Sequence, residues 1–98
     1  MVHACVLTME IHVTEANSLK AKRAVVKHLA ATARSRFDVA AAETGYQDQW
    51  QRSELAFAAV AASAGHVEEV LDSVERFVWA HPELDVIGAC RTWVEADR

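Results

Sequence analysis

The spacing of hydrophobic residues along this chain switches between two residues and three to four residues, in an order that few folds can accommodate. Residues 5–13 are hydrophobic at every second position, which predicts a strand with one buried face. Helical spacing follows over residues 18–36, where Asn17 or Ser18 can cap the first free amides. Residues 39–43 and 54–62 then predict two strands that form a hairpin.

The second half of the chain completes the pattern. A hydrophobic stripe from Val67 to Val78 predicts a second helix, with Gly65 as its cap and Pro82 at its end. Residues 86–95 alternate again and predict a fourth strand. The order βαββαβ in 98 residues predicts one α+β domain over residues 1–98, with the split arrangement called ferredoxin-like. Right-handed connections would place both helices on one face of a four-stranded antiparallel sheet and leave the other face open.

Composition narrows the class of protein. A hydrophobic content of 52% with one proline and three glycines excludes a disordered or collagen-like chain. No apolar run approaches the ~18 residues that a membrane span needs. The two cysteines, Cys5 and Cys90, have no close Cys or His neighbour in sequence, which argues against a disulfide framework. We therefore expect a cytoplasmic protein that does not bind a membrane.

The chain carries no pattern typical of a catalytic or cofactor site. Its five histidines are scattered, with none at the spacing of helical zinc ligands. No glycine-rich loop opens a helix, and no serine lies on a nucleophile elbow. The sequence thus predicts no metal site, no cofactor and no enzymatic activity.

The first predicted helix is strongly basic. Six of the ten Lys and Arg residues lie between Lys20 and Arg36, with no acid among them. One interpretation is that these charges complement the acidic second helix, in which case each exposed pair contributes only ~0–1 kcal/mol. The other is a nucleic-acid interface in which basic side chains neutralise phosphates, and its candidates are Lys20, Lys22, Arg23, Lys27 and Arg34.

The hairpin connection is longer and richer in side-chain chemistry than a turn requires. Its aromatic rings could stack on a base or fill a partner's pocket, and its amides and guanidinium could form directional hydrogen bonds. The candidate binding residues are Tyr46, Gln47, Asp48, Trp50, Gln51 and Arg52. The structural alternative is that Trp50 folds back over the sheet edge and Asp48 pairs with Arg52.

Trp93 lies in the last predicted strand. We expect it on the open sheet face, together with Arg91 and Glu95 of its own strand and with Thr8, Glu10 and His12. An aromatic on such a face is how RNA-recognition motif domains stack bases, and the same surface could pair two subunits.

Three sequence blocks, in this order, resemble the YlxP-like proteins, a bacterial family of unknown function. They are the Ser-Leu-Lys-Ala-Lys-Arg run at 18–23, the hairpin-loop run at 43–52 and the run at 66–72. The resemblance covers nearly the whole chain and implies a ferredoxin-like fold. Genes of this family often neighbour those for ribosome-binding factor A and translation initiation factor two, which implies a link to ribosome maturation or translation. Tyr46 stands where family members often have histidine.

These observations predict a non-enzymatic accessory protein that contacts ribosomal RNA or a ribosome-associated protein through the first helix and the hairpin loop. One alternative is a homodimeric interaction module that pairs through the open sheet face. Another is an enzyme or small-ligand binder that uses the loop.

Overall fold

The structure, a computed structural model, describes residues 1–94 of the chain. Its elements are β1 (His3–Val13), α1 (Leu19–Phe37), β2 (Ala40–Gly45), β3 (Arg52–Ala61), α2 (Ala64–Trp79) and β4 (Leu84–Val94). They form an antiparallel sheet of order β2-β3-β1-β4 with two helices packed on one face. The predicted ferredoxin-like α+β fold is confirmed. In the described part of the chain, neither helix is long and apolar enough to cross a membrane.

Serine side chains start both helices. Ser18 Oγ accepts a hydrogen bond from the Ala21 amide at 3.0 Å, so Ser18, one of the two predicted caps, starts α1. Ser63 Oγ accepts one from the His66 amide at 3.2 Å, so the predicted cap at Gly65 is wrong. Gly65 instead lies in the first turn of α2, because a serine supplies the acceptor oxygen that glycine lacks. The helix ends at Trp79, ahead of Pro82.

The core lies between the helices and the two central strands. All five inward-facing side chains of β1, from Cys5 to Val13, are buried, and Phe57 of β3 is fully buried beside them. In β4, by contrast, only Leu84 is buried. The helices therefore cover the centre of the sheet well and its β4 edge poorly.

A bulge in β4 changes the side on which its residues lie. Glu10 pairs with Gly88 but Ile11 pairs with Val86, so Ile87 is the extra residue. Trp93 lies opposite Cys5, whose side chain faces the helices, so Trp93 is on the covered face. The expectation that Trp93 and Arg91 lie on the open face is wrong. Glu95, expected beside them, is outside the described residues.

The open face has an apolar end and a charged end. Val6, Ala58 and Val60 lie at one end of β1 and β3. Thr8 lies further along the same face of β1, as the sequence predicts. At the other end, next to the hairpin loop, are the charged or titratable side chains of Glu10, His12, Arg52 and Glu54.

Candidate functional site

Lys22 is a buried residue that holds the hairpin loop. Its side chain is fully buried, and Nζ donates to Glu43 Oε2 at 2.6 Å, to the Tyr46 carbonyl at 3.0 Å and to the Gln47 carbonyl at 3.2 Å. All three ammonium protons are therefore used inside the protein. The prediction that Lys22 neutralises a phosphate is wrong. The sequence contained the signal, because Lys22 precedes Val26 by four residues and so lies on the core-facing side of α1.

Glu43 and Ser53 complete this cluster, and sequence analysis did not select either as a functional candidate. Glu43 pairs with Leu55, which places its side chain on the helix face of the sheet beneath α1. Its Oε2 also accepts a hydrogen bond from the buried Ser53 hydroxyl at 2.6 Å. Within the described residues, no buried side-chain nitrogen or oxygen lacks a partner. Such a satisfied cluster fixes geometry even where its net contribution to stability is small.

The loop at residues 46–51 is ordered by several independent bonds. Tyr46 adopts a left-handed backbone conformation with φ 59°, and its carbonyl also accepts from the Gln49 amide at 3.0 Å. Gln51 accepts from the Val13 amide through its backbone carbonyl at 2.8 Å and donates through Nε2 to the Ala16 carbonyl at 3.0 Å. The loop is thus tied both to α1 and to the connection that precedes it.

Arg52 pairs with the sheet rather than with the loop. Its Nε and a terminal nitrogen lie 2.9 and 2.6 Å from Glu10 Oε2, and its guanidinium lies 4.0 Å from the centre of the Tyr46 ring. The alternative in which Asp48 pairs with Arg52 is therefore wrong. Oδ1 of Asp48 instead lies 3.8 Å from a terminal nitrogen of Arg23. Both side chains are largely exposed, so this ion pair contributes little to stability.

Trp50 leaves its indole on the surface. The residue is 57% exposed, so the alternative in which it folds back over the sheet edge is also wrong. A cavity of about 580 Å³ lies beside it, at the charged end of the open face. It is lined by His12, Asp48, Gln49, Trp50, Gln51 and Arg52.

The remaining basic candidates lie on the outside of α1. Lys20, Arg23 and Lys27 are exposed, and Arg34 is exposed while donating to the Ala41 carbonyl at 3.0 Å. A groove of about 320 Å³ runs between α1 and β2. Its charged lining consists of Arg23, Lys27, Arg34 and Glu43. Since Glu43 already pairs with Lys22, the groove carries an excess of positive charge.

Acidic side chains of α2 form ion pairs with an arginine of β4 rather than with the basic residues of α1. A terminal nitrogen of Arg91 lies 2.8 Å from Asp72 Oδ1 and 3.1 Å from Glu75 Oε1. Partial burial lowers the pKa of Arg91, but its hydrogen bonds to Asp72 and Glu75 outweigh burial and raise that pKa overall. Across residues 1–94, no ion pair joins α1 to α2. The charges on the outside of α1 are therefore not explained by pairing between the helices.

Comparison of the sequence with known proteins assigns the chain to a family. The model of a family described as "Protein of unknown function (DUF503)" matches residues 4–91. The chain is also 40% identical over 76 residues to the uncharacterized protein YlxP of Bacillus subtilis (strain 168), an alignment that spans 78% of this chain and 83% of that protein. The resemblance predicted from the three sequence blocks is confirmed.

Proposed function

This chain belongs to the DUF503 family of proteins of unknown function, and we propose that it is a non-enzymatic RNA-binding protein. Its binding surface would be the groove–loop surface, which we define as Lys20, Arg23, Lys27, Arg34 and Trp50. The observation that carries the proposal is that one buried ion pair, Lys22 with Glu43, fixes the loop that bears Trp50 next to the basic side of α1. Preorganisation of this kind removes part of the entropic cost of binding.

The groove suits a phosphate backbone. Arg23, Lys27 and Arg34 line it, and each can displace a condensed counterion from the nucleic acid. Three such contacts to a single strand would give a slope of log K against log salt near −2, from about −0.7 per phosphate. The net charge of −4 does not oppose this locally, because Asp72 and Glu75 lie on α2 beside Arg91 and do not line the groove.

Trp50 favours a single strand over a duplex. An exposed indole can stack only on a base that is not already stacked in a helix, and such stacking contributes ~1–3 kcal/mol per base. The exposed side chains of Asp48 and Gln49 lie next to the ring, where they could bond to the edge of the base.

The class of RNA follows from the resemblance rather than from the geometry. Genes of this family often neighbour those for factors of ribosome maturation and translation initiation, so we propose an unpaired segment of ribosomal RNA as the partner. The protein would act as an accessory factor on a ribosomal subunit.

The test is a binding titration with fluorescently labelled single-stranded RNA at several salt concentrations. We expect the variant Arg23→Glu/Lys27→Glu to bind at least tenfold more weakly and with a shallower salt slope. The control Arg76→Glu reverses an exposed charge on α2, away from the groove, and should bind with an unchanged slope. Absence of binding by the wild-type protein, or equal losses in both variants, would refute the proposal.

Sedimentation of a lysate through a sucrose gradient tests the ribosomal partner. The wild-type protein should travel with a ribosomal subunit at low salt, and the groove variant should not. Co-sedimentation that survives charge reversal of the groove would count against contact with an RNA backbone and would favour a ribosome-associated protein as the partner.

A further inference from the structure

The outer edge of β4 is the least protected part of the sheet. β4 runs over Leu84–Val94 and, among the described elements, pairs only with β1. Natural edges are usually blunted by short length, charged side chains, proline or a bulge. β4 is eleven residues long and contains neither lysine nor proline. Its one bulge, at Ile87, leaves residues 88–94 as a regular edge.

The opposite edge of the sheet is shorter and is contacted by a side chain of α1. β2 has six residues, and Arg34 from α1 reaches its backbone at the Ala41 carbonyl. One edge is therefore short and capped by a cation, whereas the other is long and open.

Large side chains stand above the open edge without being covered. Trp79 at the end of α2 is 59% exposed and Trp93 is 37% exposed. Trp79 and Arg91 line one cavity of about 530 Å³ between α2 and β4. The space between α2 and β4 is therefore only partly filled. The exposed Trp79 and Trp93 are large enough to fill more of it if the sheet were extended beyond β4.

We propose that β4 pairs antiparallel with β4 of a second copy of this chain, about a two-fold axis, to form a continuous eight-stranded sheet. An antiparallel edge is complementary to itself, so no other protein is needed to satisfy it. Charge permits the pairing, because Arg91 is the only charged residue in the stretch 88–94 and it is neutralised within its own chain by Asp72 and Glu75.

The distances between strands and helices in such a dimer also allow a second copy to bind. In the dimer, the two β1 strands would lie about 14 Å apart, with both β4 strands between them. The two α2 helices above them would then be wider apart than the ~8–10 Å of close helix packing. Trp79, Arg91 and Trp93 from both copies are large enough to fill that gap. This inference is independent of RNA binding, since the groove–loop surface lies toward the β2 edge.

The mass of the wild-type protein in solution is the first test. Sedimentation equilibrium between about 1 and 100 µM should show a reversible dimer of twice the 10.8 kDa monomer mass. A wild-type protein that stays monomeric over this range would overturn the inference.

A matched pair of variants then locates the interface. Ala89→Lys adds a charge on the covered face of the β4 edge, where two-fold pairing of residues 88–94 would set it opposite the partner's Trp93, and should weaken dimerisation at least tenfold. Val60→Lys adds the same charge at a 69% exposed position on the open face, away from the edge, and should leave the dimer intact. The reverse result would show a dimer through the open face and would overturn the edge model.

Hydrogen exchange provides a readout that does not depend on either variant. The amides of residues 88–94 that point away from β1 should exchange slowly in the dimer and quickly after dilution to monomer. Fast exchange of these amides at a concentration where the protein is dimeric would exclude pairing through β4.

Discussion

The ammonium of Lys22 and the carboxylate of Glu43 form a buried ion pair, with 2.6 Å between Nζ and Oε2. The pair joins α1 to β2 and supports the backbone of the loop through the carbonyls of Tyr46 and Gln47. Two of the sequence blocks on which the resemblance to the family rests meet at this pair. At Lys22, the first block therefore contributes a scaffold residue rather than a binding residue.

Replacing Lys22 with methionine should destabilise the protein by about 3 kcal/mol. The substitution preserves much of the volume but leaves the Glu43 carboxylate without its cation and removes one donor from each of the Tyr46 and Gln47 carbonyls. Urea denaturation measures the loss. The control is Lys20→Met, which removes an exposed charge two residues earlier and should change the free energy of unfolding by less than about 0.5 kcal/mol.

The same pair allows a double-mutant test. Glu43→Leu removes the carboxylate that Lys22→Met leaves unpaired, so the double variant should lose less stability than the sum of the two single losses. Strict additivity would show that the two side chains do not interact.

Ser18→Ala should cost about 1 kcal/mol of stability. The Ala21 amide loses the acceptor that lies 3.0 Å away, and that amide is one of the free donors at the start of α1. Thermal or urea unfolding measures the change. Ser35→Ala, at an exposed position within α1, has no capping role and should be neutral or slightly stabilising. Equal losses at both positions would contradict the assigned cap.

Trp50→Ala should weaken binding to single-stranded RNA by roughly 5- to 150-fold, which corresponds to ~1–3 kcal/mol of stacking. Stability should change little, because the ring is mostly exposed. Trp79→Ala is the matched control: its residue is exposed to a similar degree, 59% against 57%, but lies at the end of α2. RNA affinity that falls equally in both variants would argue against a role for the loop.

The two cysteines should differ sharply in reactivity. Burial raises the pKa of the Cys5 thiol above its ordinary value of 9.0, whereas Cys90 is exposed. A thiol reagent at neutral pH should modify one cysteine quickly and the second only in denaturant, and Cys90→Ser should abolish the fast reaction. Pairing of two copies through β4 would leave the Cys90 thiol accessible to the reagent, because its side chain is on the open face of the sheet with Thr8.

The raised pKa of Cys5 also makes the free energy of unfolding depend on pH. The unfolded chain ionises this thiol at a lower pH than the folded chain does. The contribution of Cys5 to stability is therefore complete below the ordinary thiol pKa of 9.0 and is lost as the pH rises through the folded pKa. The free energy of unfolding should fall more steeply above that pH in the wild type than in Cys5→Ala.

The fold was readable from the sequence because local patterns and burial agree. The alternation over residues 5–13 matches the five buried side chains of β1, and the stripe from Val67 to Val78 matches the buried face of α2. In each case the hydrophobic effect selects the same face that the spacing indicates.

The errors have physical causes. Lysine is almost always exposed, so Lys22 was assigned to the surface although its position belongs to the core stripe. Trp93 was placed on the wrong face because both sides of β4 carry apolar residues, so alternation alone could not identify the covered side. A bulge at Ile87 also breaks the alternation within the strand.

The bonds that hold residues 46–51 have a consequence for how the protein folds. β2 and β3 are close in sequence and can pair early, but the tip between them gains its donor from Lys22 only when α1 docks. Ordering of the tip must therefore accompany or follow docking of the helix. A synthetic peptide of residues 40–61 could register its two strands and would still carry a disordered tip.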